Sequence, residues 1–112
     1  MIRIYHNSRC SKSRATLALL EGRDVEVVNY LDTPPGAAEL KQLLKLLGIP
    51  ARQLLRSGEA VYKELGLADP ALDEDALVAA MAAHPILIER PIVVANGKAA
   101  IGRPPEAVLA IL

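Results

Sequence analysis

At 112 residues the chain suits one domain that buries roughly two-thirds of its unfolded surface. Thirteen basic and thirteen acidic residues cancel and the only aromatics are three tyrosines, which argues against nucleic-acid binding, base stacking or a membrane surface. No run of 18 apolar residues occurs, a strand beginning at residue 2 leaves no room for a signal peptide, and the single cysteine has no internal disulfide partner. The expectation is a soluble protein of the reducing cytoplasm.

"IRIYH" has the β-branched and aromatic residues of a strand and ends at the polar "NSRCS". From Ser11, "SKSRATLALLEG" reads as a helix closed by Gly22, and "VEVVNYL" (25–31) as a second strand ended by "DTPPG". Strand, helix, strand within 31 residues is a βαβ unit, which requires a parallel pair. Leu40, Leu43, Leu44 and Leu47 form one helical stripe stopping at Gly48. "ARQLLRSGEAVYKELGL" suggests two short helices broken at Ser57-Gly58. "LDEDALVAAMAAH" offers Asp73 as a cap and runs to His84, where Pro85 stops it. Asn96-Gly97 between two apolar runs predicts a hairpin, and "RPPEAVLAIL" a closing helix with prolines in its first turn. The fold class expected is α/β, a small mixed four-stranded sheet (βαβ … ββα), forming a single domain over 1–112 with a helical insertion at about 36–86.

Cys10 lies where the first strand hands over to the first helix, among His6, Arg9, Lys12 and Arg14. The free N–H groups and positive dipole end of a helix N-terminus stabilise a thiolate, and so do neighbouring cations. A thiol that ordinarily titrates near ~8.5 falls to roughly 3.5–7.5 at such sites. The bland alternative is a small buried hydrophobe, which the polar neighbours on both sides disfavour. Ser11 and Ser13 suit a helix start; their hydroxyls could equally serve the thiolate or an anion beside it. Cys10-Ser11-Lys12-Ser13 has C-x-x-C spacing with serine in second place, so thiol chemistry can start here but cannot be resolved internally. His6 either orients or acidifies the thiol or covers the sheet edge. His84 and the methionines read as structural. One Cys and two distant His make no metal cluster, so no metal is expected.

"IYHNSRCSKSR", "NYLDTPP", "LLR" at 54–56, "YKELGL", "HPILIERPIVV" and "GRPPE", in this order and spacing, resemble the glutaredoxin-coupled arsenate reductase family, and in particular a short branch with the same "CSKSR" segment. The resemblance implies a thioredoxin-like fold and Cys10 as nucleophile. It implies an oxyanion, arsenate, bound by Arg56, Arg90 and Arg103, with His6, Ser13, Arg14 and Pro91 in support and the Arg90–Pro91 bond cis. It further implies glutathione as co-substrate, glutaredoxin as partner and no bound cofactor. Lys12 departs from the small hydroxyl residue usual in the reductases, which bears on substrate preference. Physically, a tetrahedral oxyanion needs donors converging from several directions, and guanidinium supplies planar, permanently charged forks. Singly each arginine reads as a surface residue, and Arg56 could pair with Glu59. The alternatives are a thiol-based redox protein acting on another target, or a regulatory binding protein of the same fold; the latter usually carries C-x-x-C.

Overall fold

The strand-forming start of the chain is β1 (Ile2–His6) in the computed structural model, which describes residues 1–112. Helix α1 (Ser11–Leu19) carries the chain to β2 (Val25–Asn29), parallel to β1 with Ile2 opposite Val25 and His6 opposite Asn29. β2 ends two residues before the Leu31 that its composition suggested. The N–H groups of Asp32 and Thr33 both donate to the Asn29 carbonyl, at 2.9 and 3.0 Å, and turn the chain there. On its other side β1 pairs antiparallel with β3 (Ile92–Ala95), and β3 with β4 (Lys98–Ile101), giving the order β2-β1-β3-β4. The β3–β4 turn is Asn96-Gly97 as expected. Both residues have positive φ (55° and 71°), the requirement of the two-residue turn whose twist matches a hairpin.

The chain divides into two compact units, Met1–Thr33 with Arg90–Leu112, and Pro34–Glu89. In the first, Ile4, Leu20, Val93 and Val108 are enclosed, with Ile2, Leu17, Val25, Ala100, Ile111 and Leu112 packed against them. Full burial of each such side chain stabilises by about 1.5–3 kcal/mol. The closing segment Pro105–Ile111 is a 3₁₀ helix. Residues three apart eclipse one another in that geometry, so Val108 and Ile111 share the edge that meets the core.

The second unit is helical: α2 (Ala37–Leu47), α3 (Ala51–Leu54), α4 (Ala60–Glu64) and α5 (Glu74–Ala83). Leu40, Leu43 and Leu44 are buried, and α2 stops at Gly48 in the left-handed conformation (φ 69°), its N–H donating to Leu44 O at 2.8 Å. Asp73 caps α5 by accepting from the Ala76 N–H at 2.8 Å. The carboxylate of Glu74 accepts from the first N–H of α3, that of Ala51, at 3.0 Å. Leu77, Val78 and Met81 bury the inner face of α5. No helix is long and apolar enough to cross a membrane.

Candidate active site

β1 runs out at His6, and Asn7 turns the chain into α1. Its side-chain oxygen accepts from Arg9 N–H and its carbonyl from Cys10 N–H, each at 3.0 Å. This is the local bond pattern that favours Asn at a turn. Cys10 then occupies the N-cap of α1 with extended backbone (φ −97°, ψ 122°), its carbonyl accepting from Arg14 N–H at 3.0 Å. The side chain of Arg14 donates to the Ser8 carbonyl at 2.9 Å and braces the same loop.

The thiol is more enclosed than its polar neighbours suggested: at 9% exposure Cys10 counts among the buried residues of the core. Burial is the largest single influence on it and pushes its pKa up. The N–H of Ser13, the Arg90 guanidinium through hydrogen bond and charge, and the N–H of Lys12 together outweigh burial and hold the thiol below its ordinary value. Arg103 approaches from another stretch, with Nη2 3.6 Å from the sulfur and Nε donating to the Arg90 carbonyl at 2.8 Å. The bond between Arg90 and Pro91 is cis, as expected; that between Arg103 and Pro104 is cis as well.

Ser13 is fully buried, and its hydroxyl meets His6 Nδ1 at 2.6 Å and the Asn7 N–H at 3.0 Å. Since Ser13 Oγ already accepts from Asn7, the satisfied arrangement has its O–H donating to an unprotonated Nδ1. Burial first, and the charge of Arg14 second, hold the imidazole below its ordinary pKa, consistent with a neutral ring. His6 and Ser13 thus tie the end of β1 to the first turn of α1.

Arg90 and Arg103 therefore meet at Cys10, and His6, Ser13 and Arg14 shape the loop carrying it. Arg56 belongs to the helical unit, where Nε is 3.2 Å from Glu59 and Nη1 2.6 Å from Glu89. The pairing with Glu59 that its spacing allowed is present. Asn7 was not singled out in the sequence; an Asn directly after a strand and three residues before a helix cap is the signal that marks it. Beside the loop a cleft of about 320 Å³ is lined by His6, Asn7, Ser8, Arg9, Asn29, Leu31 and Asp32. A larger hollow of about 460 Å³ at the other end of α1, among Leu17, Leu20, Glu21, Gly22 and Val25, is lined by no thiol. No group of His, Cys, Asp and Glu side chains is arranged to hold a metal ion.

A thiolate flanked by guanidinium forks can attack an electrophilic centre whose anionic oxygens the arginines hold. The chain is 61% identical to the protein YfgD of Escherichia coli, described as uncharacterized, over 99% of this chain and 96% of that one. It is 59% identical to an arsenate reductase of Neisseria meningitidis serogroup A, covering 99% and 97% respectively. Among solved structures, the arsenate reductase from Vibrio cholerae superposes with a TM-score of 0.97 at 58% identity, over 99% of this chain and 97% of that one. Residues 5–111 match the ArsC family, and with full-length relatives at this identity the chain belongs to it.

Proposed function

We propose that the protein reduces arsenate to arsenite with electrons from glutathione, in a cycle completed by glutaredoxin. The observation supporting this most directly is the convergence of Arg90 and Arg103 on a thiol whose pKa is held down. Arsenate lies against these arginines, and Arg56 joins them on the family resemblance alone. The Cys10 thiolate attacks arsenic and one arsenate oxygen leaves as water, forming a sulfur–arsenic(V) bond. The arginines hold the charge that shifts onto the remaining oxygens. A glutathione thiolate then attacks the Cys10 sulfur. The electron pair of the sulfur–arsenic bond departs with arsenic, which leaves as arsenite. The mixed disulfide of Cys10 and glutathione is opened by glutaredoxin, returning the thiolate. His6, Ser13 and Arg14 hold the loop in place, and no resident cofactor is needed. A reducing cytoplasm supplies both thiol partners.

The test is a coupled assay with arsenate, glutathione and glutaredoxin, run beside phosphate and beside a glutathionylated substrate without arsenate. Turnover with arsenate, absent with phosphate and abolished by Cys10→Ser, is expected. Turnover confined to the mixed-disulfide substrate, above that of glutaredoxin alone and dependent on Cys10, contradicts the arsenate reading and identifies a thiol-disulfide enzyme; no Cys10-dependent turnover with any of them favours a regulatory binding protein.

A further inference from the structure

A Cβ placed on six of the seven glycines would meet nothing within 4 Å; Gly102, at the end of β4, is the exception. There it would overlap Oγ1 of Thr16 and lie 2.7 Å from Cγ of Pro91 and 3.2 Å from Cγ2 of Thr16. Gly102 does not have positive φ, so room rather than backbone conformation demands the glycine. Neither neighbour can yield cheaply. Thr16 is fully buried, with its hydroxyl donating to the Lys12 carbonyl at 2.8 Å, and Pro91 is a rigid ring. Gly102 N–H donates to the Pro91 carbonyl at 2.9 Å, and the next residue, Arg103, reaches back to the Arg90 carbonyl at 2.8 Å. One point of contact therefore joins the helix that begins after Cys10, the Arg90–Pro91 segment and Arg103.

We infer that Gly102 is a positioning residue of the thiol site: its missing side chain lets the end of β4 close onto Thr16 and Pro91, and this closure sets Arg90 and Arg103 at the sulfur of Cys10. The inference concerns the same thiol and arginines as the proposed function, but it is read on the thiol without arsenate, so either can fail without the other.

The experiment is the rate of Cys10 alkylation by iodoacetamide against pH, in the wild type, Gly102→Ala, Thr16→Ala and the double variant, with Gly36→Ala as a glycine whose Cβ has open space. An opposite charge within ~4–6 Å changes ionisation by roughly 10- to 1,000-fold, so partial withdrawal of the arginines should slow alkylation below the midpoint roughly three- to tenfold in Gly102→Ala. Thr16→Ala and Gly36→Ala should follow the wild type. The double variant loses the Thr16 overlap and keeps the Pro91 contact, so it should recover most of the rate and retain a deficit of roughly twofold. A folded Gly102→Ala with the wild-type profile overturns the inference, and so does a double variant as slow as the single one. If Gly102→Ala does not fold, the double variant is compared with Thr16→Ala. A residual deficit then supports the inference, and identical profiles overturn it.

Discussion

Cys10 is held toward its thiolate by groups other than the side chains that crowd it in the sequence. His6, Arg9, Lys12 and Arg14 drew attention to the thiol, but the N–H groups of Ser13 and Lys12 and the distant Arg90 oppose its burial. Alkylation should therefore report an apparent pKa below the ~8.5 of a free thiol. Arg90→Ala should raise it while Arg9→Ala leaves it in place; an equal effect of the two would contradict the assignment. Arg90→Lys should lose most of the anion recognition that Arg90→Ala loses, because a point charge cannot reproduce a planar fork. His6 titrates in the opposite sense to a salt-bridged histidine. Its folded pKa lies below the unfolded value of about 6.5, so its contribution to stability is present above that pH and is lost as pH falls through the folded value. Thermal midpoints between pH 8 and 5 should fall more steeply in the wild type than in His6→Gln, and parallel curves would exclude this role. Ser13→Ala should weaken turnover without ending it, since the Ser13 hydroxyl is bonded to His6 and Asn7 and holds the loop. That role was invisible in the sequence, where a serine three residues after a cysteine serves a helix start and an anion equally well.

Secondary elements were legible wherever one local rule decided them. The leucines of α2, the Asp73 cap and the Asn96-Gly97 turn each combine a spacing with a residue whose chemistry permits little else. Asp73→Ala removes an acceptor that α5 uses and should cost about 1 kcal/mol in urea denaturation; an unchanged midpoint would show that solvent replaces it. α1 was harder to read. Its buried residues are Ser13 and Thr16, both polar, so no apolar stripe announces which face turns inward. Ser13 ties the helix to the His6 loop and Thr16 borders Gly102, while Leu17 of the same helix packs against the apolar core. The closing helix was legible as helical but not as 3₁₀, because a seven-residue segment with apolar positions three apart suits either period.

For the molecule as a whole, the order of pieces along the chain carried more than any single piece. Cys10 and Arg103 are 93 residues apart, and no periodicity or composition connects them; only the family resemblance linked them before the fold brought Nη2 to 3.6 Å from the sulfur. The four-stranded sheet followed from element order, since a βαβ start and a ββ hairpin leave few ways to share one sheet. Arg56 remains tied to the site through resemblance, and its pairs with Glu59 and Glu89 are what the helical unit contributes. The electron balance rests on composition: reducing arsenate takes two electrons, forming one disulfide supplies them, and the chain has a single cysteine. On the proposed function, the second thiol comes from outside the chain. The most direct measurement is mass spectrometry of Cys10 after incubation with arsenate and stoichiometric glutathione, glutaredoxin withheld. Glutathione joined to Cys10, one arsenite released per modified chain, and no adduct when arsenate is omitted are expected. Arsenite released while Cys10 stays unmodified, or released repeatedly with no thiol added, would contradict the account.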